Sequence, residues 1–469
     1  MSRLLCIFLI ILSSFCRSTA QEVAVVIDSI VIEGNKKTKS RVMLREMTFA
    51  AGDSMPLSLL SAAMEQNRLR LMNTNLFLVT KMNVKNWTES NHLTVHIQVV
   101  ENWFLFPIPI FELADRNFNV WWKEQNHNLK RTNYGMRLTY NNATGRRDPL
   151  SATVQLGYTP KYSFNYSLPY INKKQTIGFS ASYFNAVNRE VGYATDSNKI
   201  SFFKDANRFL LRRNGFSVGI NHTPKLLTNF GASMGYTRNK VDSFVVNNLN
   251  RDYYLDDRTE QRYFWLALGF SYDNRDIRPF PLHGRYFSVN VNKTGLLPSD
   301  DVNALDMSSR FAQYLSFSPK LSLEIVAKGK TALIRNKLPY TNMRGLGFGS
   351  DFIRGYEYYV VDGLDYAYMK NSFRIEMLNK TFDFHRYVKW KFMQSWLDMP
   401  IKTYLTFNFD TGYVNNPFEK ENNKLTNRQL VGGGVGLTII AYYNMVWRVE
   451  YSMNHLKEKG LFFNYSLGF

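Results

Sequence analysis

The chain has 469 residues, room for one large domain and a smaller one, and 58 Lys and Arg against 38 Asp and Glu give it a formal charge of +20. The basic residues are spread along the chain with no arginine-rich tract, so a nucleic-acid partner is not expected; anionic lipid headgroups or an acidic client fit the charge better. The two cysteines, Cys6 and Cys16, cannot build a disulfide framework or a thiolate metal site in the body of the chain.

The N-terminus predicts a signal peptide over 1–20. Arg3 precedes an apolar run, 4–12, and Ser18-Thr19-Ala20 offers small residues for cleavage after Ala20. Both cysteines leave with it. A lipidated Cys16 is the alternative, and Phe15 just before it fits poorly. Residues 21–102 then read as a small α/β domain. The alternating run 25–33 ends at the turn signal Gly34-Asn35. Thr38 is placed to cap a helix through about Met47, which Gly52-Asp53 breaks. Pro56 suits the first turn of a second helix, whose apolar positions Leu59, Leu60, Ala63, Met64 and Leu71 follow helical spacing. Segments 76–84 and 93–100 read as strands.

From residue 103 to 469 the pattern changes. No later apolar run reaches the roughly 18 residues of a membrane helix, and mean hydropathy is −0.29. Yet 28 Tyr and 35 Phe fall largely in short alternating segments separated by Asn, Asp, Lys and Gly. A transmembrane β-barrel has this signature, because lipid-facing and lumen-facing side chains alternate and their hydropathy averages out. Candidate strands are 104–113, 131–141, 150–158, 162–169, 175–186, 208–221, 228–239, 262–273, 284–293, 304–317, 320–333, 366–378, 402–412, 430–441, 444–453 and 460–469. Residues 195–204 are assigned to a loop. The expected fold class is therefore an all-β transmembrane barrel of about 16 antiparallel strands over 103–469, after one small α/β domain. Loop lengths agree. With the N-terminal domain on the inner side, the outward connections include 187–207, 240–261 and 334–365, all long. Most inward ones are short, such as 223–225 and 442–443. The inward connection 379–401, with Trp390 and Trp396, is the exception.

Two stretches carry candidate function. Phe352-Ile353-Arg354-Gly355-Tyr356 sits in a glycine- and aromatic-rich loop, 335–365. Arg354 offers five fixed donors to a carboxylate, and Gly355 lets the chain turn before Tyr356, which suits a buried tether. Pro107 and Pro109 lie two apart in the first strand, so both missing N–H groups point to one edge. If that edge meets the last strand, which ends at Phe469, the seam is short of hydrogen bonds.

These pieces resemble the outer-membrane assembly and translocation superfamily, the BamA- and TamA-like proteins with POTRA domains and a barrel (the bacterial surface antigen family). The matching stretches come in order: Asp273 and Pro281-Leu282-His283-Gly284-Arg285-Tyr286, then the loop motif, Arg374 and Glu376, Phe407-Asn408-Phe409-Asp410-Thr411-Gly412, Gly432-Gly433-Gly434-Val435-Gly436-Leu437 and Arg448-Val449-Glu450-Tyr451. Residues 24–102 resemble one POTRA domain, where the central assembly factor has several. The resemblance implies that the loop folds into the lumen and that Arg354 meets Glu376 and Asp410 on the wall. Alternation agrees that Arg374, Glu376 and Asp410 avoid lipid, and puts Leu378 on the face of Arg374 and Glu376. It implies a Gram-negative outer membrane, with the N-terminal domain in the periplasm.

The expected function is insertion or translocation of unfolded client polypeptides through a lateral seam and a loop-plugged barrel. Outer-membrane lipid and periplasmic or lipoprotein accessory proteins are the other expected partners. The alternatives are a two-partner-type secretion pore for one dedicated polypeptide and a passive outer-membrane channel. No enzyme activity, metal or cofactor is expected. Gly215-Phe216-Ser217-Val218-Gly219 and Gly231-Ala232-Ser233-Met234-Gly235 match a hydrolase elbow only in letters, since each lies inside an alternating strand. The seven histidines show no metal-ligand spacing.

Overall fold

A computed structural model describes residues 23–113, 126–205, 207–384, 397–419, 422–442 and 445–467. The expected signal peptide, Trp390, Trp396 and Phe469 lie outside these described residues. The N-terminal unit runs β1 (Ala24–Glu33), α1 (Ser40–Leu44), β2 (Ser54–Pro56), α2 (Leu57–Met72), β3 (Phe77–Lys85) and β4 (His92–Glu101). Its sheet has the order β2-β1-β4-β3, with β1 parallel to β4. Ile27, Met43, Leu60, Leu71, Leu93 and Ile97 fill the core. Two local expectations are corrected. Thr38 does not cap α1, which is only five residues long. Its N–H donates to Glu101 at 2.6 Å, and its hydroxyl accepts from Asn142 Nδ2 at 2.9 Å, across to the barrel. Pro56 ends the extra strand β2 and stands just before α2 rather than in its first turn.

The wall strands follow in chain order: β5 (Leu105–Leu113), β6 (Thr132–Tyr140), β7 (Leu150–Gly157), β8 (Lys161–Leu168) and β9 (Ile177–Asn188). A separate hairpin, β10 (Glu190–Asp196) and β11 (Lys199–Lys204), interrupts them. The wall resumes with β12 (Leu211–Lys225), β13 (Thr228–Val241), β14 (Glu260–Asp273), β15 (Gly284–Thr294), β16 (Ala304–Ser318) and β17 (Leu321–Ala332). It ends with β18 (Asp365–Asp383), β19 (Asp398–Asn415), β20 (Gln429–Ala441), β21 (Met445–Asn454) and β22 (Lys459–Leu467). These form one 16-stranded sheet in chain order, with residues 190–204 outside it. The wall is a transmembrane barrel, and its alternation separates lipid from lumen. On β19, Phe407 and Phe409 are exposed while Thr406, Asn408 and Asp410 are buried.

The inward connections differ in detail from their sequence reading. β12 runs on through Lys225, so its turn is Leu226-Leu227 rather than 223–225. β18 and β19 stay paired to Asp383 and Asp398, so the two ends of 379–401, 379–383 and 398–401, are strand rather than loop. The N-terminal unit docks on this same rim. Arg45 Nε donates to the Gln175 carbonyl at 2.6 Å and Nη1 to the Tyr170 hydroxyl at 2.7 Å. Asn73 Nδ2 donates to the Asp276 carbonyl at 2.6 Å. The opposite, distal rim carries β10–β11 and a helical turn, Val245–Leu249, packed around Val191, Leu210, Tyr253 and Tyr254.

Candidate functional site: a loop tethered in the lumen

The long loop between β17 and β18 folds inward. Ile353, 1% exposed, packs with Tyr356, Tyr366, Tyr368 and Val414 in an apolar cluster inside the wall. Asp351 anchors its turn: Lys328 Nζ lies 2.7 Å away, and the hydroxyls of Tyr366 and Tyr368 donate to it at 2.9 and 3.1 Å. Lys370 Nζ sits 3.9 Å over the Phe352 ring.

Arg354 is the centre of the site. Nη1 donates to Asp410 Oδ1 at 2.8 Å, and the backbone N–H of Arg354 reaches Asp410 Oδ2 at 3.1 Å. Nη2 donates to Ser372 Oγ at 3.1 Å, and Nε lies 3.1 Å from Glu450 Oε1. One guanidinium thus joins β18, β19 and β21, and both carboxylates are buried. Such charge-assisted bonds contribute roughly 1.5–3 kcal/mol each, and removing one partner strands the other. Glycines make the approach possible. Gly355 has φ of +85°, and a Cβ there would meet Met453 C at 2.8 Å. A Cβ on Gly432 would meet the Arg354 carbonyl oxygen at 1.9 Å.

The motif also holds the last hairpin. Asn454 Nδ2 donates to the Gly355 carbonyl at 2.8 Å, and the Tyr356 hydroxyl is bonded to His455 Nδ1. The Tyr359 hydroxyl donates to Glu458 at 2.7 Å. The Tyr358 ring packs at a tilt against Phe462 of β22, with ring centroids 5.4 Å apart.

The structure brings Arg354, Gly355, Tyr356 and Asp410 together, but not Glu376. Glu376 accepts instead from the Tyr404 hydroxyl at 2.8 Å. It lies four residues along β18 from Ser372, roughly 13 Å at strand rise, too far for the same guanidinium. Glu450 takes its place. A register shift between Glu376 and Leu378 also breaks the expected alternation, so Leu378 pairs with Thr403 and is exposed. Alternation does mark Glu450 as inward-facing, between half-buried Val449 and exposed Tyr451, but register across three strands is needed to place it beside Arg354. Arg374 has a separate partner set. It pairs with Glu324, donates to the Pro281 carbonyl at 2.7 Å and sits 4.1 Å over the Phe280 ring. It therefore pins the β14–β15 turn inside the proximal mouth.

The two terminal strands show what the prolines do. The Asn141 N–H donates to the Phe104 carbonyl at 2.9 Å, which sets the even positions of β5 as those bonded to β6. Pro107 and Pro109 are odd, so their nitrogens face the free edge. Likewise the Asn454 N–H to Glu458 carbonyl bond, 3.1 Å, leaves the odd positions of β22 facing outward from β21. Among the described residues no ladder joins β5 to β22.

Residues 142–374 match the Omp85 superfamily domain, and residues 25–102 match a POTRA family described as the surface antigen variable number repeat. The chain belongs to the Omp85 superfamily. The Omp85 match takes in the loop motif and stops before Asp410 and Glu450. The chain is similar to the crystal structure of BamA from Haemophilus ducreyi lacking POTRA domains 1–3, with a TM-score of 0.51 at 14% identity, over 94% of this chain and 84% of that one. It is similar to CdiB from Escherichia coli, with a TM-score of 0.55 at 11% identity, over 95% and 76%. For CdiB from Acinetobacter baumannii the values are 0.51, 13%, 94% and 74%. At these identities the likeness concerns the fold. No curated protein sequence matches the chain. An Omp85 barrel of the outer membrane with one POTRA domain is thus the frame for the tethered loop.

Proposed function

We propose that this Omp85 protein inserts or translocates client polypeptides by parting the seam between β5 and β22, without covalent chemistry. The observation that carries the reading is the free edge of β5, which lacks two N–H donors at Pro107 and Pro109. A seam short of donors separates at lower cost, and a client strand adds to the exposed edge by β-augmentation. The tethered loop supplies the control. Through Glu450, Asn454, Glu458 and Phe462 it grips the hairpin that forms the other side of the seam. Loop docking and seam closure are then coupled, and the packed lumen argues against a passive channel. The POTRA domain faces the periplasm in this reading and presents clients to the proximal rim. Signal cleavage after Ala20 leaves a chain with no thiol.

Depletion of the protein, followed by comparison of the outer-membrane proteome, tests this. Loss of a set of barrel or surface proteins supports an assembly role. Loss of a single exported polypeptide supports a dedicated secretion pore instead, and an unchanged proteome contradicts both.

A further inference from the structure

A cavity of about 310 Å³ lies between α2 of the POTRA domain and the proximal turns of the barrel. Its charges do not balance. Arg70 reaches it from α2, and Arg275 and Arg278 from the β14–β15 turn, with Arg147 from the β6–β7 turn. Glu46 is shared at long range, 3.9 Å from Arg70, 3.4 Å from Arg147 and 3.7 Å from Arg45. Asp273 is already held by both Nε and Nη2 of Arg275, at 2.7 and 2.9 Å, and lies 3.2 Å from Arg278. The Asp276 carboxylate is occupied by the N–H groups of Ile277 and Leu282. Four guanidinium groups thus line the cavity against three carboxylates, of which Asp273 and Asp276 are already engaged.

Arg70 carries the unmet demand. Its side chain is 13% exposed, and its Nε is buried with no hydrogen-bond partner. A buried N–H of a guanidinium without an acceptor is costly, so an anion that reaches the Arg70 Nε is favoured here. Burial, against the pull of Glu46 and with Arg278 and Arg45 as neighbouring cations, lowers the pKa of Arg70. Arg70 and Arg278 reach the cavity from different elements. A tetrahedral anion presents acceptors on several sides and can meet both, where a carboxylate offers one edge.

We propose that this cavity binds a phosphate-bearing anion, held by Arg70 and Arg278, which bridges the POTRA domain to the barrel. Free phosphate and the headgroup of an anionic phospholipid share this chemistry, and the rim position admits either source.

The full chain in a maltoside detergent, which contains no phosphate, is titrated calorimetrically in two arms. One uses inorganic phosphate and the other short-chain dihexanoyl-phosphatidylglycerol, each against chloride of matched ionic strength. Binding of one equivalent is expected, weakened at least tenfold by Arg70→Gln and by Arg278→Gln, with barrel folding checked by heat-modifiable gel mobility. Binding in the phosphate arm supports free phosphate, and binding in the lipid arm alone supports a headgroup. Without anion, Arg70→Gln should leave the thermal midpoint unchanged or raise it, because it removes an unsatisfied group. No heat beyond the chloride control in either arm overturns the proposal. So does unchanged binding in both variants, or a drop in midpoint for anion-free Arg70→Gln.

Discussion

Arg354 Nη1 lies 2.8 Å from Asp410 Oδ1, and Asp410 is fully buried in the barrel wall. A loop that would otherwise hang outside is thereby fixed within the lumen by a largely buried charge pair. Breaking such a pair from one side costs about 3–5 kcal/mol, because the remaining charge stays buried. Arg354→Ala should therefore release the loop and raise its protease sensitivity, while the wall ladder keeps the barrel folded. Arg354→Lys should restore only part of the protection, since an ammonium cannot span Asp410, Ser372 and Glu450 at once. Glu450→Gln should weaken the tether and Glu376→Gln should not. Limited proteolysis of the loop in the four variants is the measurement.

The glycines give a second test with an internal control. Gly355→Ala places a Cβ at φ +85° and 2.8 Å from the Met453 backbone, and Gly432→Ala drives one into the Arg354 carbonyl. Both should undock the loop. Gly349→Ala shares the positive φ, +62°, but has nothing within 4 Å. It should cost only local strain, about 1–2 kcal/mol, and leave the loop protected from protease.

The distal end of the loop should respond to pH. Asp362 is 8% exposed, and its Oδ1 has no hydrogen-bond partner. Burial raises its pKa to about 6; Glu419 adds to this, while Thr195 and Arg344 oppose it. The released loop should titrate near the ordinary value, about 3.9. The docked loop therefore holds the extra proton. Docking is most stable below about pH 4, weakens as pH rises towards about 6, and is then constant. A spin label at Ser350→Cys should be less mobile at pH 4.5 than at pH 7.5. Asp362→Asn should reduce that difference.

Docking of the POTRA domain depends on Arg45. Its guanidinium lies 4.1 Å from the Tyr170 ring centroid and donates to the Gln175 carbonyl. Arg45→Ala should expose the β8–β9 turn, seen as faster hydrogen exchange over 170–176, with the exchange of the β1–β4 core unchanged.

Much of this architecture is legible in the sequence. Alternation along β18 and β19 separates Asp410 from Phe407 and Phe409, and turn residues divide the strands well enough to count the wall. Terminal positions are harder to read, because strand ends are fixed by partners rather than by pattern. β18 and β19 extend past their expected ends because they continue to pair with each other. Thr38 has the chemistry of a cap, yet its hydroxyl is taken by Asn142 from the barrel, a contact that local sequence does not encode. Glu376 and Glu450 show the same limit within the site. Both face inward by alternation, and only the register of β18 through β21 decides which lies beside Arg354.

The central claim is that the seam between the first and last strands must part for activity. One cysteine placed within 105–112 and one within 462–469 can form a disulfide across the seam without competing thiols, given signal cleavage. Client insertion is measured with the pair oxidised and again after reduction. The account predicts that oxidation stops insertion and reduction restores it, with each single cysteine inactive as a block. Full insertion with the seam locked shut would contradict it.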